Sequence, residues 1–203
     1  MKIICIGRNY VKHVQELNHD VPTELVFFMK PDSALLKDNK PFFLPDFSKE
    51  IHHEIELVVK ISRLGKNIEA KFAHRYYDEI GLGIDFTARD LQRQLIEKGL
   101  PWEKAKAFDS SAVLGKFIPK DELGDLGHIL FSLKKNGEVV QSGDSQLMIF
   151  PFDTIIEHVS KYVTLKIGDL IYTGTPAGVG PVDIGDSLEG FIGEKKMFDI
   201  LVK

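Results

Sequence analysis

The residues best suited to chemistry are two glutamates, Glu54 and Glu56, within the largely apolar segment 51–61. Side chains alternate between the two faces of a β-strand, so the glutamates share one face. The opposite face carries Ile55, Leu57, Val59 and Ile61. Two carboxylates side by side repel each other, and burial would cost several kcal/mol for each ion. Such a pair needs either an open, solvated face, which is the more common arrangement, or a divalent cation that bridges the oxygens.

A third carboxylate, Asp85, ends a second predicted strand, residues 80–86, on the face that carries Gly81 and Gly83. The glycines leave room for another group to approach the backbone, although Asp85 as a local cap is the alternative. Three oxygen ligands without a nearby cysteine suit a hard cation, Mg²⁺ or Mn²⁺, that keeps waters and a chelating substrate. Glu54, Glu56 and Asp85 are therefore the predicted metal ligands. Removing any one should leave the fold largely intact, because it relieves repulsion in the metal-free site.

Zinc is the minor alternative, because His52 and His53 directly precede Glu54. The segment contains no HExxH pattern. His53 also falls on the apolar face of the predicted strand, which does not favour a role as ligand.

A histidine and a glutamate on the first predicted helix, His13 and Glu16, lie three residues apart and share a face. A carboxylate beside an imidazole orients the ring and raises its basicity, which is typical of a pair that activates water. The alternative is an exposed pair on a surface helix.

Positive charge for an acidic substrate is available from Arg8, Arg89 and Lys106, unless these are ordinary solvated side chains. Lys106 is the least ordinary of them, because alanines flank it and Phe108 follows. The turn-rich segment 173–181 could present amides and a hydroxyl to a carboxylate or enolate oxygen, or be a purely structural turn.

The elements that must position these groups suggest a strand-rich α+β chain. Apolar runs predict strands over residues 2–6, 25–29, 51–61 and 80–86, an irregular loop or edge strand over 37–47, and helices over 11–17, 69–77 and 154–162. A capping box at Thr87–Asp90 predicts another helix that ends near Lys98, before Gly99. Asn136-Gly137 predicts a type I′ hairpin, and the similar segments 167–171 and 184–188 each predict a tight turn that leads into a strand.

Composition narrows the class of protein. The chain has 203 residues, a net charge of −4 and one cysteine, Cys5. The charge argues against a nucleic-acid binder, and a lone cysteine excludes an internal disulfide. No segment has the apolar length of a membrane span or a signal peptide, so we expect one domain over residues 1–203 in the cytoplasm, without membrane or nucleic-acid partners.

Taken together, these segments resemble the fumarylacetoacetate hydrolase family, and especially its short acylpyruvase and oxaloacetate decarboxylase branch. The matching segments run in the family's order over nearly the whole chain. They are Gly7-Arg8-Asn9-Tyr10 with His13 and Glu16, Phe28-Met29-Lys30-Pro31, His52-His53-Glu54-Ile55-Glu56-Leu57, Asp85-Phe86-Thr87-Ala88-Arg89-Asp90-Leu91-Gln92, Gly99-Leu100-Pro101-Trp102 with Lys106, Met148-Ile149-Phe150, and Thr173-Gly174-Thr175-Pro176-Ala177-Gly178-Val179-Gly180.

The resemblance implies a predominantly β, mixed β-roll or sandwich fold with short helices, and a homodimer. It implies Mg²⁺ or Mn²⁺ on the three carboxylates, the His13–Glu16 dyad on a segment that orders over the substrate, and Lys106 as the active-site lysine. It further implies a substrate pocket lined by Arg8, Arg89, Gln92 and Thr175. The resemblance does not extend to the additional N-terminal domain of the longer fumarylacetoacetases, so we do not expect their substrate.

The expected reaction is cleavage of a carbon–carbon bond in a small 2-oxo acid, by acylpyruvate hydrolysis or oxaloacetate decarboxylation. Both pass through an enolate that the metal stabilises as a Lewis acid. Tautomerisation or isomerisation needs the same enolate and is the alternative, although the dyad favours cleavage. A non-catalytic domain that binds an anionic metabolite is a third hypothesis, which EDTA-sensitive turnover would eliminate.

Overall fold

A computed structural model describes residues 1–16 and 22–203, and its elements form a mixed α+β fold that is mostly strand. The strands are β1 (Ile3–Gly7), β2 (Val26–Lys30), β3 (Leu35–Leu36), β4 (Ile51–His53), β5 (Ile55–Ile61), β6 (Tyr77–Asp85), β7 (Thr87–Ala88), β8 (Ala112–Pro119), β9 (Leu130–Lys135), β10 (Glu138–Asp144), β11 (Leu170–Tyr172), β12 (Gly180–Pro181), β13 (Ser187–Ile192) and β14 (Lys195–Leu201). The helices are α1 (Val11–Glu16), α2 (Ala70–Ala73), α3 (Arg89–Glu97), α4 (Glu103–Lys106) and α5 (Phe152–Tyr162).

Three sheets organise these strands. A seven-stranded sheet has the order β2-β1-β11-β5-β6-β8-β3, a four-stranded sheet the order β10-β9-β13-β14, and a three-stranded sheet the order β12-β4-β7. The first sheet is mixed, because β1 pairs with β11 in parallel and β5 pairs with β6 antiparallel. This architecture agrees with the predicted predominantly β, α+β fold.

Both faces of the large sheet are buried. The predicted core face of β5 joins the main hydrophobic cluster of the protein through Ile55, Leu57, Val59 and Ile61. The opposite face carries Val58, which packs in a second cluster with Ile3, Cys5, Ala34, Ala112, Leu170 and Tyr172. The face that carries Glu56 is therefore buried. The alternative that the glutamate pair lies on a solvated sheet face is wrong.

Two predicted elements are interrupted. The predicted strand over 51–61 breaks at Glu54, so that β4 pairs with β7 and β12 while β5 enters the large sheet. The predicted helix over 69–77 is too long: α2 ends at Ala73 and Tyr77 already begins β6. Tyr77 is buried opposite Ile61, so pairing of a β-favouring aromatic residue overrides the helical pattern.

The predicted capping box is also wrong. Thr87 and Ala88 form β7, and the Thr87 hydroxyl donates to the Asp85 carbonyl rather than capping a helix. The helix α3 begins at Arg89 without a side-chain cap. The Asp90 carboxylate accepts from the Ser48 hydroxyl and from backbone N–H groups, which ties a preceding loop to α3.

Other turn predictions are confirmed. Asn136 and Gly137 both have positive φ, as a type I′ turn between β9 and β10 requires. The glycines of the two similar segments, Gly168 and Gly185, have positive φ just before β11 and β13. The helix predicted over 11–17 is α1, although its last residue lies outside the described residues. No described helix has the length and apolar character needed to cross a bilayer.

Candidate active site

The register of β5 and β6 brings the three predicted metal ligands together. Glu56 lies opposite Gly83, and at the next position along the same face the Asp85 N–H donates to the Glu54 carbonyl over 2.8 Å. One ligand atom from each of the three carboxylates lies within 4.8 Å of the others. All three side chains are buried. We call Glu54, Glu56 and Asp85 the carboxylate cluster.

Three buried cations surround the carboxylate cluster. Lys106 lies between two of its members, with Nζ 2.8 Å from Glu54 Oε2 and 2.7 Å from Asp85 Oδ2. Arg89 forms an ion pair with Glu54, and Lys30 lies 2.7 Å from Asp85 Oδ1. The solvated alternatives for Lys106 and Arg89 are therefore wrong, because these side chains are about as inaccessible as the hydrophobic core.

The pKa values of Glu54, Glu56 and Lys106 shift in directions that depend on these ion pairs. Burial raises the pKa of Glu54, but the charges of Lys106 and Arg89 outweigh burial and hold it well below its usual range. Burial likewise opposes the charge of Lys106, and Asp85 and Glu54 outweigh it and raise the Lys106 pKa. Glu56 differs, because burial and the neighbouring charges of Asp85 and Glu54 all raise its pKa.

Glu56 and Asp85 keep hydrogen-bond acceptor capacity that the described residues do not use and that a hard cation would. Glu56 accepts one hydrogen bond, from the Gly174 N–H at 2.8 Å, and no cationic side chain of the described residues pairs with it. The Lys30 ammonium directs its hydrogens to Ser111 and to the Phe86 carbonyl, so Asp85 Oδ1 is buried without a hydrogen bond from the described part of the chain. The residues therefore fit a divalent ion with oxygen ligands.

The histidines considered for zinc face elsewhere. His53 is buried, and its Nδ1 lies 2.8 Å from Gln141 Oε1. His52 contacts Glu50 through Nε2 and Arg89 through Nδ1. Neither belongs to the carboxylate cluster, so the structure gives no support to the zinc alternative.

The dyad, His13 and Glu16, is on α1 at the edge of the same site. His13 Nδ1 lies 3.4 Å from Glu16 Oε2, and the Glu16 carboxylate also accepts from the Gly178 N–H at 3.1 and 3.2 Å. Burial lowers the pKa of His13, although Glu54 and Glu16 act in the opposite direction. The imidazole is therefore neutral at pH 7 and able to accept a proton. Because His13 is 6% exposed, it is not half of a surface pair.

One pocket joins these groups. It is lined by every predicted site residue except Glu16: Arg8, His13, Glu54, Glu56, Asp85, Arg89, Gln92, Lys106 and Thr175. Its remaining lining is mainly apolar and comes from Ile6, Gly7, Phe28, Ile96 and Trp102. The pocket is thus a polar, charged wall that faces an aromatic and aliphatic one.

Arg8 differs from the other cations of this pocket. Its backbone is left-handed, with φ of 61°, which is uncommon for a residue with a side chain. Its Nε atom is buried without a hydrogen-bond partner, and no described carboxylate pairs with its guanidinium. An unpaired charge beside a pocket is costly in isolation and suits a residue that pairs with an incoming anion.

The turn-rich segment 173–181 does present amides, but to the protein's own carboxylates. Gly174 donates to Glu56 and Gly178 donates to Glu16. Gly174 has a φ of 101°, and a Cβ there would lie 2.6 Å from the Asn9 side chain, so only glycine fits. Thr175 alone of this segment lines the pocket, and its hydroxyl oxygen accepts from Gln141 Nε2 over 2.9 Å.

Two polar residues of the site carried no assigned role in the sequence-based prediction. Lys30 ends the apolar strand β2, and the signal in the sequence is a lysine placed between an apolar run and a proline. Gln141 lies on the hairpin strand β10, and nothing in its sequence context distinguishes it from a surface glutamine.

Comparison with known proteins agrees with this geometry. A sequence model described as fumarylacetoacetate (FAA) hydrolase C-terminal matches residues 2–198. The chain belongs to the fumarylacetoacetate hydrolase family. Within this family it is 43% identical over 190 residues to the mitochondrial oxaloacetate tautomerase of Mus musculus, a match that covers 94% of this chain and 86% of the relative.

Other members of the fumarylacetoacetate hydrolase family carry different names. The chain is 39% identical over 206 residues to the mitochondrial oxaloacetate decarboxylase of Dictyostelium discoideum. This match covers 100% of this chain and 94% of the relative. The crystal structure of fumarylpyruvate hydrolase from Pseudomonas aeruginosa, in complex with Mn²⁺ and pyruvate, superposes with a TM-score of 0.93 at 35% identity. That comparison covers 100% of this chain and 89% of the other.

Proposed function

We propose that this chain is a divalent-metal-dependent enzyme that converts small 2-oxo acids through their enolates. One observation carries the proposal: three buried carboxylates meet at one point, and a neutral histidine backed by a glutamate lines the same pocket. The Mn²⁺ and pyruvate named for the Pseudomonas aeruginosa structure support the metal and the ligand class.

Glu54, Glu56 and Asp85 would hold Mg²⁺ or Mn²⁺. An ion there would act as a Lewis acid and favour negative charge on the 2-keto oxygen of the substrate. Lys106 and Arg89 keep Glu54 ionised. Lys106 and Lys30 lie against Asp85, so buried cations face two of the three ligands. These cations also add favourable potential for an enolate that forms nearby.

His13 would move the proton. It lines the pocket, and burial leaves its ring neutral, so it can take a proton from C3 of the substrate or from a water. Glu16 orients the ring through Nδ1 and stabilises the imidazolium that results. Because Gly178 holds Glu16, the dyad is tied to the loop that carries Thr175.

The charges of the site favour a substrate with two acidic groups. The three carboxylates are balanced by three buried cations, so a divalent ion would leave the wall net positive. Arg8 adds a charge that no carboxylate of the described residues pairs with. A four-carbon 2-oxo diacid such as oxaloacetate would place its 2-oxo acid end at the ion and its second carboxylate at Arg8.

The reaction we propose first is keto–enol tautomerisation of oxaloacetate, because the Mus musculus relative at 43% identity is named for it. It requires proton transfer at C3, which His13 can perform without a water. Cleavage of a carbon–carbon bond, by decarboxylation or hydrolysis, is the second candidate. The geometry of the dyad favours it, since a histidine oriented by a carboxylate also activates water.

The test is one panel assayed with the purified protein. Enol loss from oxaloacetate, pyruvate release from oxaloacetate and hydrolysis of acetylpyruvate are followed with Mg²⁺, with Mn²⁺ and with EDTA. We expect the enol-loss rate to exceed the other two and EDTA to abolish it. Turnover that survives EDTA would remove the metal from the proposal, and no turnover of any 2-oxo acid would contradict the function itself.

A further inference from the structure

A buried glutamine links the second sheet to the pocket. Gln141 is 1% exposed on β10, where the pairing of β10 with β9 shifts between Val139 and Gln141. Such a bulge redirects a side chain from the sheet surface, and here it turns Gln141 inward while Val139 stays exposed. The bulged backbone also packs tightly on the pocket loop, because a Cβ on Gly178 would lie 2.5 Å from the Val140 carbonyl oxygen.

The hydrogen bonds of Gln141 determine which way its amide points. Oε1 accepts from the Ile55 N–H at 3.0 Å, a contact in which the backbone can only donate. Nε2 lies 3.0 Å from the Pro176 carbonyl oxygen, which can only accept. Both ends therefore give the same orientation, and the His53 ring must donate its Nδ1 proton to Oε1 over 2.8 Å.

This orientation determines the role of the Thr175 hydroxyl. The second Nε2 hydrogen of Gln141 points at Thr175 Oγ1 over 2.9 Å, so the oxygen accepts and its own hydrogen must find another acceptor. The Pro176 carbonyl lies 3.5 Å away, longer than an ordinary O–H···O bond. The described residues offer this hydrogen no other acceptor, and Thr175 is buried and lines the pocket, so we expect its acceptor to be a ligand oxygen there.

We propose that Gln141 is a positioning residue that makes Thr175 a hydrogen-bond donor to an anionic oxygen of the bound ligand. Gln141 does not touch the ligand and acts through Thr175. It also joins this donor to the start of β5, which carries Glu56, through the Ile55 N–H. That the anionic ligand is a 2-oxo acid or its enolate rests on the proposed function.

Isosteric substitution tests the proposal. In Gln141→Glu a carboxylate oxygen replaces the amide NH₂, so Thr175 donates to the introduced carboxylate and no longer to the ligand. We expect Kd for oxalate, a planar analogue of the pyruvate enolate, to rise about 10-fold or more in Mn²⁺-loaded protein, as loss of a hydrogen bond to a charged group does. Thr175→Val should weaken oxalate similarly, and Thr175→Ser should restore binding. The Kd for Mn²⁺ alone should not change in any of them.

The double variant separates positioning from a general structural role. Once Thr175→Val has removed the donor, adding Gln141→Glu should cause little further loss of oxalate affinity. Gln141→Met serves as a second variant if Gln141→Glu does not fold, and Gln146→Glu, on an exposed glutamine just beyond β10, is the matched control.

Three results would overturn the proposal: wild-type oxalate affinity in folded Gln141→Glu and Gln141→Met, wild-type affinity in Thr175→Val, or losses that multiply in the double variant. Its failure is distinguishable from that of the proposed function. If the wild-type protein binds oxalate but turns over no 2-oxo acid, the function is wrong and the positioning role stands. If it binds no oxalate with Mn²⁺, both are wrong.

Discussion

The backbone N–H of Asp85 donates a 2.8 Å hydrogen bond to the carbonyl oxygen of Glu54, at the end of the β5–β6 pairing. This single bond places two carboxylates from distant parts of the chain side by side, and alternation along β5 adds Glu56 on the same face. The carboxylate cluster is thus a consequence of strand register. Because the cluster is buried, we expect a metal bound there to change the free energy of unfolding.

Substitutions of the carboxylate cluster should divide by ion pairing. Glu56 has no cationic partner among the described residues, so Glu56→Gln should abolish metal-dependent turnover while the metal-free protein stays at least as stable as wild type. For Glu54 and Asp85 the ion pairs reverse the expectation from sequence that the fold stays intact. Glu54→Ala and Asp85→Ala would leave buried cations unpaired and should cost about 3–5 kcal/mol of unfolding free energy. Urea denaturation in EDTA measures the stability of the three variants, and an assay with Mg²⁺ measures their turnover. Equal destabilisation by all three would contradict this division.

Lys106→Met should make the protein depend on metal for stability. Lys106 bridges Glu54 and Asp85, and without it their repulsion is less compensated in the metal-free protein. We expect a lower Tm in EDTA and a larger rise in Tm on adding Mg²⁺ than in wild type. The ratio of kcat/KM values should show that about 2–4 kcal/mol of transition-state stabilisation is lost. Lys104→Met, exposed on the same helix, is the control. A Mg²⁺ response equal to that of wild type would show that Lys106 does not compensate the cluster.

His13→Ala should separate the reactions. Hydrolysis of acetylpyruvate needs an activated water, and enol loss needs proton transfer at C3, so both should fall about 10²-fold or more. In oxaloacetate decarboxylation the carbon–carbon bond breaks without either step, and the enolate takes up its C3 proton only afterwards, so CO₂ release should fall less. All three rates are measured on one preparation with the same Mg²⁺. Equal losses in all three would assign His13 to closure or orientation and withdraw its role as base.

Arg8→Met should change substrate preference rather than chemistry. If Arg8 binds the second carboxylate, kcat/KM for oxaloacetate should fall about 10- to 100-fold, while that for acetylpyruvate, which has an uncharged tail, should hardly change. Arg75→Met, a change at an exposed arginine, is the control for net charge. A parallel loss on both substrates would place Arg8 at the 2-oxo acid end instead.

Stability should decrease as pH falls below about 6.5. Burial lowers the pKa of His13, His52 and His53 in the folded protein, so the unfolded chain binds protons first as pH falls from their usual pKa. Above that pH all three are neutral in both states, so the histidine contribution to stability is fully present. Glu56 acts with the opposite sign, because its pKa is raised in the folded protein, so the histidine contribution is measured in Glu56→Gln. Each histidine adds at most about 1.4 kcal/mol per pH unit to the slope.

The measurement is urea denaturation of Glu56→Gln in EDTA between about pH 8 and about pH 5, which covers the range over which histidines titrate. His13→Asn should flatten the slope, whereas His74→Gln, a change at an exposed histidine, should not. A flat profile for Glu56→Gln across this window would contradict the burial argument.

Local patterns predicted much of the scaffold. The Asn136-Gly137 turn and α5 are local consequences of turn chemistry and apolar periodicity, and both are confirmed. The predicted capping box is wrong because Thr87, in β7, pairs with His52 of β4. This is a long-range contact that no local sequence pattern predicts. The homodimer and the single catalytic domain over residues 1–203 stay predictions, and light scattering and limited proteolysis would test them.

The sequence by itself determined which acidic side chains share a strand face. Glu54 and Glu56 stand two positions apart and Asp85 stands beside glycines, and the alternation of a strand is a local property. Only the tertiary structure decided that this face is dry and that Lys30, Lys106 and Arg89 converge on it. It alone placed Gln141 behind Thr175. Burial and ion pairing depend on which strands become neighbours, and that is settled by packing across the whole chain.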